Sequence, residues 1–305
     1  MAVSFIWTIY ILISALRNFF TNDAIFTHSY AKFKGLSPIP NNWGDDINKY
    51  FIEYVTGKKV IVMNISFPIK HYVMIGSILS FFRLNGATVY GTGLMTASYP
   101  LRGVPRQIIS VRGPLTRKAV LQSGIDCPEH YGDPALLLPL FFKPKHSDYD
   151  VVSVIPNEGT FWNPAPIVDE LTDKYGCRLV NMTRYECWTD IIDAITSSCF
   201  VISESLHGLI VAESYGIPSI WVEFIDHTTG KFNPDWSFKF RDFYESIGKH
   251  NMTSIKLYEG YDFNSLLKER DNWQPGRIDY AQLLEDFPFS IRPELLPITK
   301  IPLKP

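Results

Sequence analysis

The feature that most constrains the fold is a regular alternation of short apolar runs and helical patterns, which begins at residue 24. The apolar runs are rich in β-branched residues, and helical stretches of roughly ten to fifteen residues separate them. Strands that alternate with helices in this way are typical of βαβ units, whose parallel strands form one sheet covered by helices. The pattern therefore predicts an α/β protein built from Rossmann-like, doubly wound parallel sheets.

The alternation stops once and then restarts, which predicts two domains. The interruption at residues 143–150 is polar and contains proline, as is typical of a domain linker. We expect an N-terminal Rossmann-like domain at residues 24–142 and a C-terminal one with a tail at residues 151–305. Each is long enough to bury its own core, and the two lobes would face a cleft.

Within the first domain the pattern also predicts individual helices. Asn42 is a good N-cap for a helix that begins near Asp45 and stops at Gly57. Residues 73–84 have the apolar pattern of a second helix, closed by Gly86.

Residues 1–23 precede the alternation and are mostly apolar. Between Val3 and Leu16 only three residues are polar, and the first charged residue is Arg17. The run is short for a membrane-spanning helix, which needs about 20 apolar residues, and it lacks the basic start and cleavage site of a secretory signal. Three interpretations stay open: a buried or membrane-touching helix, a marginal signal-anchor, or an extension of the fold. We favour the first, and expect a cytoplasmic protein that residues 3–20 could bring to the inner face of the membrane.

Charge and cysteine usage exclude several functions. The chain has 29 basic and 31 acidic residues, a net charge of −2, and no basic patch that would bind nucleic acid. Its four cysteines form no C-x-x-C pair, and its histidines lack the spacing of a metal site. Dinucleotide loops, phosphate loops and nucleophile elbows do not occur. We therefore expect no nucleic-acid partner, no metal and no cofactor.

Three polar clusters lie where a strand gives way to a helix, the place at which open parallel sheets bind ligands. They occupy residues 41–46, 112–116 and 203–208. Unpaired N–H groups and the positive end of the helix dipole favour anions at such junctions. Because the second and third clusters belong to opposite domains, we expect them to face the same cleft.

Each cluster also has a purely structural interpretation. Asn42 could simply cap a helix whose first turn carries Asp45 and Asp46, or Asp45 could accept a proton from a sugar hydroxyl. Arg112 could hold a carboxylate or phosphate with two parallel hydrogen bonds, or form a surface ion pair. His207 could be a packed helix residue, or a ring that exchanges a proton with an anionic ligand.

Together with two further motifs, these clusters resemble the polysaccharide pyruvyltransferase family, and most of all its branch that makes pyruvate ketals on bacterial exopolysaccharides such as succinoglycan. The matching elements occur in the order of the family, at residues 42–46, 91–93, 111–116, 131–137 and 202–208. The chain departs from the family at Ser205, where many relatives carry Arg in an S-x-R-x-H motif.

The resemblance implies a two-lobed architecture like that of glycosyltransferase-B, with residues 24–142 on the acceptor side and residues 151–305 on the donor side. It also implies a reaction in which phosphoenolpyruvate transfers its three-carbon unit to two hydroxyls of one sugar and releases phosphate. The implied acceptor is a galactose-type sugar on a lipid-linked oligosaccharide or polysaccharide repeat unit, in exopolysaccharide or capsule biosynthesis. Phosphoenolpyruvate is then a donor substrate and not a cofactor.

The same resemblance suggests roles for particular residues. We expect His207 to protonate C3 of the donor or the leaving phosphate, Asp45 to take the proton of the attacking hydroxyl, and Arg112 to hold the donor. The residues expected to bind substrate are Asn42, Gly44, Asp46, Gly93, Thr116, Asp133, Ser203, Glu204, Ser205 and Gly208. Asp133 is also a second candidate for the base.

Two other functions fit the same fold. A glycosyltransferase that uses a nucleotide sugar would need a clear diphosphate and ribose site in the second domain, and residues 203–208 offer less than that. A non-catalytic glycan-binding relative is the other alternative, and Ser205 in place of Arg lends it some weight.

Overall fold

Each half of the chain forms one five-stranded parallel sheet. The computed structural model describes residues 2–30, 32–34, 37–39, 41–63, 69–145, 151–158, 165–225 and 236–296. Most of the linker expected at residues 143–150 lies outside these ranges. The sheets confirm the predicted α/β class, with Rossmann-like lobes.

The first sheet contains strands from residues 24 to 110. They are β1 (Ala24–His28), β4 (Lys59–Met63), β5 (His71–Val73), β6 (Ala87–Tyr90) and β7 (Gln107–Ser110), and β2 (Lys32–Lys34) and β3 (Ser37–Ile39) form a separate antiparallel pair. The order across the sheet is β4-β1-β5-β6-β7, and every neighbouring pair is parallel. This is the flavodoxin-like order, which reverses direction between its first and third strands.

The second sheet repeats the same order. Its strands are β8 (Val151–Ile155), β9 (Arg178–Leu179), β10 (Ser198–Ser203), β11 (Ser219–Phe224) and β12 (Ile255–Leu257), arranged β12-β11-β10-β8-β9. Counted from β8, this is again 2-1-3-4-5 when read from the β9 edge. Ligands of such sheets bind at the carboxyl ends of the strands where the order reverses. That rule points to the gap between β1 and β5 in one lobe, and between β8 and β10 in the other.

Helices cover both sheets. They are α1 (Ala2–Thr21), α2 (Trp43–Thr56), α3 (Pro114–Gln122), α4 (Leu138–Phe141), α5 (Pro166–Asp169), α6 (Trp188–Thr196), α7 (Leu206–Ser214), α8 (Ser237–Ser246), α9 (Phe263–Asn272) and α10 (Tyr280–Glu285). Helices α1 and α2 lie on opposite faces of the first sheet, because Phe26 and Ile61 pack against α1 while Ile25 and Val60 pack against α2. In the described ranges no helix is long and apolar enough to cross a membrane.

Helix α2 has the capping predicted from its sequence. The side chain of Asn42 accepts a hydrogen bond from the backbone N–H of Gly44 at 3.1 Å, and Gly57 closes the helix in the left-handed conformation. The helix buries Ile47, Phe51 and neighbouring apolar residues against the sheet, which fixes the direction of its amino-terminal turn.

The helix predicted at residues 73–84 is wrong. After β5 the chain continues through turns to residue 84, and almost all of these side chains are buried. Asn48 of α2 donates to the backbone oxygen of Ile75 and accepts from its N–H, both at 2.9 Å, so a side chain takes the place of helical bonds. An apolar run that is buried on all sides has no amphipathic period, and it cannot distinguish a helix from a compact loop.

The carboxyl-terminal segment packs against the first lobe. The hydroxyl of Tyr90 donates to the backbone oxygen of Leu283 at 2.6 Å, and the ring of Phe287 packs against those of Phe51 and Tyr90. The N–H of Arg292 donates to the oxygen of Val55 at 2.9 Å. This part of the range 151–305 therefore joins the core of the first lobe, although its place in the sequence suggests the second.

Candidate active site

The amino-terminal turns of α2 and α7 meet at Gly44 and His207. A Cβ atom on Gly44 would lie 1.9 Å from Nδ1 of His207, so only glycine lets the ring approach the helix this closely. A Cβ on Gly76, in the loop after β5, would lie 3.7 Å from Oδ1 of Asp45 and 3.9 Å from Cε1 of His207. Asp45 and His207 are thus neighbours, at the two points where the strand orders reverse.

The ring of His207 has no hydrogen-bond partner among the described residues. Its Nε2 atom is fully buried and unsatisfied. Burial, followed by the positive charges of Lys239 and Arg112, lowers the pKa of His207 to about 3, which keeps the imidazole neutral at physiological pH. A buried, unpaired ring nitrogen is available to a ligand or to a proton.

Asp45 is the second unpaired group. Its backbone oxygen accepts a hydrogen bond from Ser29 at 2.5 Å, whereas no described residue bonds its carboxylate. Burial, with the negative charges of Asp46 and Glu158, raises the pKa of Asp45 to about 7, against the opposing effect of Lys239. A carboxyl group with a pKa near neutrality can both give and take a proton.

Lys239 on α8 is the third member of the site, and the sequence analysis did not identify it. Its ammonium lies over the ring of Phe240, 5.1 Å from the centroid, and has no hydrogen bond or ion pair within the described part of the chain. Burial, followed by the charge of Arg112, lowers the pKa of Lys239 to about 8, while Asp45 and Glu204 act in the opposite direction. We call Asp45, His207 and Lys239 the reactive cluster.

Arg112 has partners different from those expected. Its side chain is fully buried, with Nε donating to Asp242 at 3.1 Å, one terminal nitrogen to Ser77 at 2.5 Å, and the other to the oxygen of Leu94 at 2.7 Å. The surface ion pair considered for Arg112 is therefore a buried one. Asp242 also accepts from the backbone and hydroxyl groups of Thr116, so it fastens α8 to the start of α3. Since Lys239 is on α8 too, this lock places the ammonium in the reactive cluster.

We expect replacement of Asp242 by alanine to destabilise the protein by about 3–5 kcal/mol, because Arg112 would be left as a buried charge without a counterion. Urea denaturation measures the difference. Asp271→Asn is a suitable control, since its ion pair with Arg270 is exposed and should contribute less than about 1 kcal/mol. A loss of stability no larger than that of the control would contradict the structural role of Asp242.

Several residues expected to bind substrate instead have side-chain groups engaged by the protein itself. These are Asn42, Asp46, Thr116, Asp133, Ser203 and Glu204. Asp46, for example, accepts from the backbone of Asn41 at 2.7 Å and from the hydroxyl of Tyr185 in the other lobe at 2.5 Å. Asp133 caps a 3₁₀ turn through Ala135 and also accepts from the N–H of Gly76. These side chains hold the loops that surround the reactive cluster.

Besides Gly44, three predicted residues remain. They are Gly93 and Gly208, which other side chains approach closely, and Ser205. A Cβ on Gly93 would lie 2.4 Å from Cζ of Arg112, and one on Gly208 would lie 2.6 Å from Oγ of Ser203. Ser205 is the N-cap of α7, yet its side chain makes no capping hydrogen bond. Ser205 therefore leaves the first N–H groups of α7 without a capping side chain among the described residues, an arrangement that favours an anion.

Two comparisons with known proteins bear on this site. A family model described as polysaccharide pyruvyl transferase matches residues 23–226, more than half of the chain. The protein named Uncharacterized protein L143 of Acanthamoeba polyphaga mimivirus is 29% identical over 216 residues, which cover 68% of this chain and 71% of that protein. The family match includes Asp45, Arg112 and His207, and it ends before Lys239.

Proposed function

This chain belongs to the polysaccharide pyruvyl transferase family, and from that premise we propose that it forms a pyruvate ketal on a sugar, with phosphoenolpyruvate as the donor. Membership makes the chain a transferase of polysaccharide biosynthesis. The finer features, a galactose-type acceptor on a lipid-linked repeat unit of an exopolysaccharide or capsule, follow from the resemblance of its motifs to the succinoglycan-type branch. The facing lobes support a glycosyltransferase-B-like architecture.

The observation that carries the proposal is the set of polar groups left unpaired in the reactive cluster. Phosphoenolpyruvate combines a phosphate and a carboxylate, so a buried site for it must supply positive charge. Lys239 supplies an ammonium without a counterion among the described residues, and the start of α7 supplies N–H groups. The guanidinium of Arg112, which donates to the hydroxyl of Ser77, adds a further positive charge. It is close enough to lower the pKa of both Lys239 and His207. We propose that Lys239 contacts the donor and that Arg112 positions the site.

The reaction moves two protons. Two C–O bonds form between C2 of the donor and the acceptor oxygens, the bond from C2 to the phosphate oxygen breaks, and the C2–C3 double bond becomes single. The acceptor loses two hydroxyl protons. C3 of the donor gains one proton, and the leaving phosphate gains the other. The site must therefore hold one group that is protonated at the start and one that is not.

Asp45 and His207 fit these two requirements. With a pKa of about 7, Asp45 is protonated in a large fraction of molecules near neutral pH, and His207, with a pKa of about 3, is neutral before the reaction. We propose that Asp45 first protonates C3 while His207 takes the proton of the attacking hydroxyl. His207 then gives that proton to the leaving phosphate, and Asp45 accepts the proton of the second hydroxyl. Both groups return to their starting states, and each serves once as acid and once as base.

A row of aromatic side chains next to Asp45 supports a saccharide acceptor. Tyr30 and Tyr99 are 62% and 47% exposed, and both pack against Phe81, with ring centroids 6.1 and 6.2 Å from it. Tyr30 follows Ser29, whose hydroxyl binds the backbone of Asp45. Exposed aromatic rings provide apolar faces with polar edges, which suit the mixed surface of a sugar.

Phosphoenolpyruvate is expected to raise the melting temperature of the protein, because a ligand that binds only the folded state stabilises it. At 100 times the dissociation constant the gain is about 2.7 kcal/mol, or roughly 5 °C for a chain of this size. The change in melting temperature, measured by scanning fluorimetry, should vanish in Lys239→Met and persist in Lys268→Met, which alters an exposed lysine. Stabilisation by nucleotide sugars instead of phosphoenolpyruvate would favour the glycosyltransferase alternative.

A further inference from the structure

One face of α1 is a stripe of large aliphatic side chains that no described part of the chain covers. Its members Ile9, Leu12, Ile13 and Leu16 are 41, 48, 62 and 66% exposed. Their spacing of three and four residues places them on one side of the helix. Ile11, on the opposite side, is fully buried against Phe26, Ile61 and Met63. Packing on the sheet therefore fixes the rotation of α1 about its axis and leaves the stripe exposed. An exposed apolar surface of this kind marks an interaction site.

Basic side chains border the aliphatic stripe. Arg17 lies on one flank, and the ammonium of Lys59 lies over the ring of Tyr10 on the same flank, 5.5 Å from its centroid. Lys58 donates to the backbone oxygen of Asn22, just beyond the end of the helix. Helix α1 itself contains no acidic residue, and the carboxylate that follows it, Asp23, is paired with Arg17 at 2.8 Å. The Arg17–Asp23 pair has no net charge, so Lys58 and Lys59 make this border positive in a chain whose net charge is −2.

We propose that the aliphatic stripe docks the protein on an anionic lipid membrane, with α1 lying in the plane of the surface. An apolar face flanked by lysine and arginine is typical of interfacial helices, whose aliphatic side chains enter the acyl boundary while the cations meet lipid phosphates. A second copy of the chain suits the surface less well, because two stripes in contact would also bring their positive borders together.

Docking of this kind would bring the active site to a lipid-linked acceptor, and this consequence alone rests on the proposed function. Only two residues separate the end of α1 from the start of β1, so the helix packs antiparallel to β1. Its amino-terminal half therefore lies towards the carboxyl ends of the strands. Asp45 lies at those ends, beside Ser29. A membrane beneath α1 would lie on the face of the sheet opposite α2, so a lipid-linked sugar would reach Asp45 around the carboxyl ends of the strands.

Cosedimentation of the full-length protein with vesicles tests the proposal. We expect the protein to pellet with vesicles of phosphatidylcholine and phosphatidylglycerol, and the double variant Ile13→Glu/Leu16→Glu to lower the bound fraction at least tenfold. Lys58→Gln/Lys59→Gln should weaken binding to these vesicles by about fivefold per lysine, with little change on pure phosphatidylcholine. Val104→Glu replaces an equally exposed aliphatic residue outside α1 and should bind like the parent protein.

Three results would overturn the proposal. They are failure of the parent protein to bind anionic vesicles, equal binding by Ile13→Glu/Leu16→Glu, and a parental dimer in light scattering that this variant converts to a monomer. The last result would assign the stripe to a second copy. Phosphate release from phosphoenolpyruvate with a soluble saccharide acceptor is measured in parallel and should not change in the variant. Absence of release in the parent protein would contradict the proposed function and leave the vesicle result standing.

Discussion

Replacement of His207 by asparagine is expected to lower the rate of phosphate release from phosphoenolpyruvate by about 1,000-fold, with the fold intact. Asparagine can still donate a hydrogen bond, but it cannot take up the proton of the attacking hydroxyl or deliver it to the leaving phosphate. General acid–base groups contribute roughly 100- to 10,000-fold to the reactions they serve. The measurement is a phosphate-release assay with a lipid-linked galactoside and its soluble analogue.

The control for this variant is His250→Asn, which changes an exposed histidine and should leave the rate within about twofold. Because the ring of His207 makes no hydrogen bond among the described residues, its loss should leave the melting temperature nearly unchanged. A rate for His207→Asn within tenfold of the parent would remove His207 from the proton transfers. An unchanged kcat with a raised KM for phosphoenolpyruvate would make it a binding residue instead.

Asp45→Asn should have opposite effects on activity and stability. The variant cannot protonate C3, so the rate should fall by at least 100-fold. Its stability should rise in alkaline solution, because burial makes the Asp45 carboxylate unfavourable and Asn carries no charge. A residue whose removal stabilises the protein and abolishes its activity is one that function alone requires.

The pH dependence of this gain follows from the raised pKa of Asp45. Its value is about 7 in the folded protein and about 3.9 in an unfolded chain. Between these values the folded state holds the extra proton, so the parent loses stability as the pH rises. At 1.36 kcal/mol per unit, the advantage of Asp45→Asn grows from near zero below pH 4 to about 4 kcal/mol above pH 7.

Denaturation of both proteins at several pH values measures this difference. Asp173→Asn changes an exposed carboxylate and serves as the control. The same pKa predicts that kcat/KM of the parent falls as the pH rises above about 7, where Asp45 loses its proton. An advantage of Asp45→Asn that is equal at all pH values would show that the carboxyl group does not titrate in this range.

Local sequence patterns were enough to predict much of the fold. The cap at Asn42, the stop at Gly57 and the alternation of strands with helices depend on a few neighbouring residues, and the structure confirms them. Strands β5 and β12 have three residues each, which are too few to show a period. The wrong helix at residues 73–84 has another cause, since an apolar run that is buried on all sides has no amphipathic period.

The sequence by itself determined that the chain is an α/β protein with two parallel sheets, and that Asp45 and His207 lie at strand-to-helix junctions. Only the tertiary structure decided which groups meet. It placed Lys239 beside them and paired Arg112 with Asp242, which is 130 positions away in the chain. It also turned one side of α1 into the sheet and the other to the surface. Helix caps and hydrophobic periodicity depend on residues that are close in the sequence. Burial and electrostatic interactions depend on residues that are close in space, and they decide which residues of the site are free to bind and react.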